Sequence, residues 1–194
     1  MSEVPRILAL AGSARGDSFN RRLMHIGAAG ARAAGAEVTI VNFQEFDLPI
    51  YDQDGEARDG LPAGAKQLKH LFNSHQGLLI ASPEYNSSIS PLLKNAIDWV
   101  SRREGEEAPL VSIAGKTAVI MSASPGALGG LRGLRHVREI LSNIQVLVLP
   151  DQIAIVKAHE AFQPDGSLKD PQQQAAVEGL GRKLVEIVKK LTAA

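Results

Sequence analysis

Ser13, Arg15, Ser18 and Asn20 fall within one short run of small and polar residues that opens a helical stretch. Those residue types suit a phosphate. Hydroxyls and the first N–H groups of a helix donate hydrogen bonds, and a guanidinium pairs with phosphate oxygens. The same residues also make an ordinary capped turn with a surface arginine, and composition leaves the two readings even. Two further runs stand out: Ser82-Pro83-Glu84-Tyr85-Asn86-Ser87-Ser88 and Ser124-Pro125-Gly126-Ala127-Leu128-Gly129-Gly130. Taken alone, Tyr85 could simply cover an apolar edge, Asn86 brace a turn, and Gly129-Gly130 open the next helix.

Each run follows an apolar stretch of strand length. Ile7-Leu8-Ala9-Leu10-Ala11 is continuous, as expected of a strand buried on both faces. Val38-Thr39-Ile40-Val41, Leu78-Leu79-Ile80-Ala81, Thr117-Ala118-Val119-Ile120-Met121 and Val146-Leu147-Val148-Leu149 read as four more, with 153–156 a short extension or edge strand. Helices are predicted over 19–34 with Ser18 as N-cap and Gly35 as stop, and over 62–75, 91–102, 131–142 and 171–191. The stretch 42–60 has no clean period and reads as a long loop with room for a short turn, and 103–114 reads as irregular.

Strands alternating with helices call for a parallel sheet covered on both faces: an α/β doubly wound, five-stranded domain spanning 1–194. With strand order 2-1-3-4-5, the winding reverses between strands one and three. The loops after strands one, three and four then surround one crevice, where such sheets bind ligands. Those are the three unusual loops.

Composition removes several alternatives. Lys plus Arg equals Asp plus Glu, 21 of each, so no uniform basic field holds the chain to nucleic acid. Cysteine is absent, which excludes disulfides, thiolate catalysis and cysteine-ligated metals. Met1-Ser2-Glu3-Val4-Pro5-Arg6 does not resemble a signal peptide, and no apolar run reaches bilayer length, so a cytoplasmic protein without membrane insertion is expected. The first loop lacks the Gly-Lys-Ser/Thr of a nucleotide triphosphatase and the G-x-G-x-x-G of a dinucleotide fold. Strand one ends without the acidic pair of a receiver domain. The five histidines are scattered, and no metal site is expected.

The three runs together resemble the signatures of the NADPH-dependent FMN reductase family, whose fold is flavodoxin-like. Gly12-Ser13-Ala14-Arg15-Gly16-Asp17-Ser18-Phe19-Asn20 is similar to its G-S-x-R-x-x-S-x-N phosphate loop. Pro83-Glu84-Tyr85-Asn86 with Leu93-Lys94-Asn95-Ala96-Ile97-Asp98-Trp99 resembles its second signature, and 124–130 its third. The resemblance implies a bound FMN. Ser13, Arg15, Ser18 and Asn20 would hold the phosphate, and Pro83, Glu84, Tyr85 and Asn86 would line the ring and ribityl side. Ser124, Gly126, Gly129 and Gly130 would approach the pyrimidine end, where glycines let backbone N–H groups come close.

The activity so implied is reduction of small acceptors such as quinones, azo compounds, chromate or free flavin, with NADPH or NADH as co-substrate. Hydride passes through flavin N5 in a ping-pong sequence, and no side chain is needed as a catalytic nucleophile. A homodimer or homotetramer is also implied, with the helix bearing Leu92, Leu93, Ile97 and Trp99 a candidate contact surface. Trp99 itself reads as packing. Arg132, Arg135 and Arg138 read as solvated helix faces or subunit contacts in preference to ligand groups. The rivals are a non-enzymatic electron carrier and a flavin-binding sensor.

Overall fold

A computed structural model of the chain describes residues 4–193. Met1, Ser2 and Glu3, which contribute to the reading of the N-terminus, lie outside the described residues. The first strand, β1 (Arg6–Ala11), shows why the chain needs two covered faces. Ile7, Ala9 and Ala11 join one apolar core, whereas Leu8 and Leu10 join another, because successive side chains point to opposite sides. With β2 (Glu37–Val41), β3 (Gly77–Ala81), β6 (Thr117–Ala123) and β7 (Leu147–Ile155), it forms a sheet of order β2-β1-β3-β6-β7 with every pairing parallel. Counting sheet strands alone, that is the expected 2-1-3-4-5.

One face is covered by α1 (Phe19–Ala33) and the long C-terminal helix α7 (Pro171–Thr192). The other is covered by α3 (Ala63–Asn73), α4 (Pro91–Val100) and α5 (Leu131–Asn143). Helices α1 and α7 cross closely through glycines. A Cβ added at Gly30 would sit 2.0 Å from the Glu178 carbonyl oxygen, and one at Gly181 2.0 Å from that of Gly27. The expected punctuation of α1 is present, with Ser18 accepting from the Arg21 N–H and Gly35 at φ +85° beyond its end.

A helix within 42–60 and a hairpin before α4 correct the sequence reading, whereas the expected turn within 42–60 and the extension of the fifth strand are present. The stretch 42–60 holds a 3₁₀ turn at Phe43–Glu45 and a helix, α2 (Gln53–Asp59), capped by Asp52. No residue of α2 is buried, so it lacks the apolar period that reveals a helix. Between β3 and α4 lies a tight hairpin, β4 (Glu84–Tyr85) with β5 (Ser88–Ile89), turned by Asn86 at φ 49° and Ser87 at φ 67°. The fifth sheet strand and its extension are one continuous β7, bulged where Pro150 interrupts the ladder. Arg138 answers that interruption by donating to the carbonyls of Val148, Leu149 and Pro150 and to Gln152. It therefore braces an edge strand instead of presenting a solvated helix face.

The α4 surface also differs from its reading. Leu93, Ile97 and Trp99 are buried, so little of that stripe is left for a partner subunit. Trp99 packs edge-on to Tyr51, with ring centroids 5.1 Å apart, and its Nε1 donates to the Pro49 carbonyl at 2.7 Å. Among the described residues, no helix is long and apolar enough to cross a membrane. A short helix, α6 (Ala158–Ala161), follows β7.

Candidate functional site

Strands β1, β3 and β6 end on the same side of the sheet, and their loops converge there. They line a cleft of about 90 Å³ containing Ser13, Arg15, Ser18, Phe19, Asn20, Pro83, Glu84, Tyr85, Ala123, Ser124 and Pro125. Asn86, Gly126, Gly129 and Gly130 are not in its lining. Asn86 instead turns the hairpin.

The first loop is fastened at both ends. The Gly12 N–H donates to the Ala81 carbonyl at 2.9 Å, and the Ser90 hydroxyl donates to the Gly12 carbonyl at 2.7 Å. Gly12 has to be glycine, because a Cβ there would meet Ser90 Oγ and Leu93 Cβ at 2.9 Å. At the far end, Asn20 is buried and donates from Nδ2 to the Ala123 carbonyl at 2.8 Å. Its Oδ1 accepts from the Ala123 N–H at 3.0 Å. Asn20 thus ties the first loop to the end of β6.

Between these ties the backbone is left open to a ligand. The N–H groups of Gly16, Asp17, Ser18, Phe19 and Asn20 donate to no group among the described residues. The exposed Arg15 side chain has no protein partner there either. Free N–H groups at the N-terminus of a helix carry partial positive charge of the kind that suits an anion. Phe19 enters the lining and stacks on Phe162 at 5.8 Å.

Glu84 couples the second loop to the third. Its carboxylate accepts from Arg132 at 2.5 and 2.8 Å and from the Gly133 N–H at 3.0 Å, capping the N-terminus of α5 from across the cleft. Gly130 holds the N-cap position of α5 and has no side chain with which to do so. Burial by itself would raise the Glu84 pKa. The Arg132 guanidinium and the Gly133 N–H outweigh it, and they hold the carboxyl below its ordinary 4.5. Arg132 is therefore a structural partner of the site, which its helix position did not reveal.

The two third-loop glycines answer to the protein's own packing. Gly129 and Gly130 have φ of +61° and +94°. A Cβ at Gly130 would fall 1.9 Å from Ser122 Oγ, and one at Gly129 2.8 Å from the Ile155 carbonyl carbon. Only Gly126 is open, with its nearest neighbour Ser124 Oγ at 3.7 Å. Ser122 is fully buried beneath this turn, and its hydroxyl finds no partner among the described residues.

The sequence matches the pattern of the NADPH-dependent FMN reductase family over residues 5–160. The chain belongs to that family. Relatives of this reductase include a quinone reductase of Escherichia coli strain K12, 37% identical over 153 residues covering 77% of this chain and 76% of that protein. An NAD(P)H-dependent FMN reductase of Pseudomonas aeruginosa is 31% identical over 179 residues, 92% of each chain. Among solved structures, the flavoenzyme NAD(P)H:(acceptor) oxidoreductase FerB of Paracoccus denitrificans aligns with a TM-score of 0.80 at 29% identity. That alignment covers 96% of this chain and 98% of that one. The fold of the reductase is flavodoxin-like.

The Glu84 contacts lead to a measurable expectation. Glu84→Ala should lower stability by about 2 kcal/mol, since it strands Arg132 and uncaps α5. For a domain of this size that is a fall in thermal midpoint of roughly 4–8 °C. Because the folded carboxyl titrates below 4.5, its contribution is complete above that pH and fades as the medium turns more acid. The midpoints of the natural protein and Glu84→Gln should therefore converge on acidification. A gap that stays constant from neutral to acid pH would show that the carboxylate charge is not what stabilises α5.

Proposed function

We propose that this protein is an FMN-dependent NAD(P)H oxidoreductase that reduces small acceptors of the quinone kind. The observation that carries the reading is the row of N–H groups from Gly16 to Asn20 without a partner among the described residues, beside Arg15, in a loop whose Ser13, Arg15, Ser18, Phe19 and Asn20 line a cleft shared with the loops of β3 and β6. When bound, FMN supplies a carrier that takes hydride from NAD(P)H and hands two electrons to the acceptor.

The chain's own residues then bind and orient. Ser13, Arg15 and Ser18, with the α1 N-terminus, hold the phosphate by charge-assisted hydrogen bonds. Asn20 serves that site chiefly as a brace, its amide being engaged with Ala123. Pro83 and Tyr85 line the cleft on the side of the ring, Tyr85 being 47% exposed, and Ser124 offers polar groups from the third loop, with Gly126 next to the lining but outside it. Glu84 stays ionised and takes no part as a proton donor. Asn86, Gly129 and Gly130 support the cleft by shaping its two flanking turns.

We read residues 1–194 as one such domain, supported by the single large sheet whose two faces carry both main cores. A homodimer or homotetramer is favoured by the exposed apolar side chains Tyr85, Leu128 and Leu131 near the cleft. A cytoplasmic location matches the compartment that supplies NAD(P)H. A carrier role is less well supported, because a chain of formal charge +0 lacks the strong field that steers protein partners together.

The purified protein, incubated with FMN and freed of excess, should be yellow, should bleach under anaerobic NADPH or NADH, and should oxidise the nicotinamide steadily when a benzoquinone is added. A protein that stays colourless would overturn the flavin reading. A yellow protein with no turnover would overturn the enzymatic one.

A further inference from the structure

The amino ends of the strands, on the side of the sheet away from the cleft, border a second hollow of about 260 Å³. Its walls include His75, Gln76, Lys116, Thr117 and the last turn of α7. Lys116 lies just before β6, and its Nζ donates to the His75 backbone carbonyl at 2.6 Å. Among the described residues no carboxylate meets it. Lys66, Lys69, Lys94, Lys183 and Lys190 each pair with an aspartate or glutamate, and Lys157, Lys169 and Lys189, which do not, are exposed, whereas Lys116 is half-buried in the wall of the hollow. We propose that Lys116 is a site of covalent acylation, taking a small acyl group from an acyl phosphate or an acyl thioester.

The geometry supplies what the reaction requires. A carbonyl partner only accepts, so the hydrogen bond to His75 survives when the ammonium becomes a neutral amine, and the nitrogen lone pair stays free to attack. That lone pair adds to the acyl carbon and a C–N bond forms. The acyl C–O bond to phosphate, or the C–S bond to the thiol, breaks, and the leaving group departs with the electron pair. The proton lost from nitrogen passes to water, and nothing is oxidised or reduced. The amide so formed keeps an N–H for the His75 carbonyl, and a two-carbon acyl group is small beside the hollow.

Burial alone lowers the Lys116 pKa to about 8, so much of the amine is neutral near that pH. The other titratable group in the wall is the His75 ring, which lies between the Leu71 carbonyl at 2.6 Å and Thr39 Oγ1 at 2.8 Å. Burial, with Arg6 and Lys116 as the nearby cations, lowers its pKa, and Glu37 acts in the opposite sense. A lysine at the usual value near 10.4 is neutral in only about one molecule in 250 at pH 8. The lower basicity of the amine offsets part of that gain, which leaves an expected advantage on the order of 10-fold.

The full chain would be treated at pH 8 with acetyl phosphate and, in a parallel arm, with acetyl-coenzyme A, and the rate at each lysine followed by peptide mass spectrometry. Lys116 should acquire acetyl about 10-fold faster than the exposed Lys157 and Lys169, and the advantage should vanish in concentrated urea. The arm that reacts identifies the donor class. A rate at Lys116 no higher than at Lys157 and Lys169 in both arms, or an advantage that persists in urea, would overturn the proposal. Lys116→Arg should retain the donor to His75 and lose the adduct. Should that variant fail to fold, the urea comparison on the natural chain decides the matter by itself.

Discussion

Arg15→Ala is expected to raise the Kd for FMN by about 10- to 100-fold while leaving the thermal midpoint of the FMN-free protein unchanged. The Arg15 side chain is exposed and engages no protein group among the described residues, so the fold loses nothing when it is cut back. A phosphate at the start of α1 loses a charge-assisted hydrogen bond worth about 1.5–3 kcal/mol, which is the stated fold-change. Titrating FMN into the stripped protein and following flavin fluorescence measures it. Arg15→Lys should recover part of the loss, because the charge remains while the planar fork does not. An affinity equal to that of the natural protein would remove Arg15 from the phosphate site and leave the serine hydroxyls and backbone N–H groups to hold it.

Gly181→Ala should destabilise the fold by about 2–3 kcal/mol, lowering the thermal midpoint by roughly 4–12 °C. The added Cβ would stand 2.0 Å from the Gly27 carbonyl oxygen and 2.7 Å from the Ala31 nitrogen. Backbone cannot rotate aside as a flexible side chain can, so α1 and α7 must part along their whole contact. Alanine's better helix propensity recovers up to about 1 kcal/mol, already allowed for in the figure. Gly179→Ala on the same helix isolates the contact from the propensity. Its Cβ would meet only Arg182 Nη2, at 3.9 Å, so this change should stabilise by about 0.5–1 kcal/mol. Urea unfolding of the two variants reads the difference. Equal and opposite signs are not required, but a Gly181→Ala protein as stable as the natural one would mean that the helices do not approach as closely as described. Because α1 also presents the N–H groups of the cleft, the same variant should bind FMN more weakly.

Much of this was legible in the residues because it depends on local regularities. Short apolar runs bounded by turn residues read as buried strands, Ser18 and Gly35 bracket α1 as their chemistry dictates, and alternation of strands with helices leaves few ways to wind the sheet. The three loops were found by composition, and their meeting at one edge follows from the strand order. What escaped were features without a local period. Helix α2 buries nothing, the hairpin has only two residues per strand, and Arg132 and Arg138 find their partners 48 and 10 or more positions away.

The site shows the same division. That Ser13, Arg15 and Ser18 suit a phosphate is written in their types and their place before a helix. That Asn20 is occupied with Ala123, that Glu84 caps α5, and that Gly129 and Gly130 are demanded by Ile155 and Ser122 was decided in three dimensions. Sequence determines which groups a segment carries and the period with which it displays them. Which of those groups remain free for a ligand depends on neighbours that only folding brings within a few ångströms, because hydrogen bonds and steric contacts act at that range and no further.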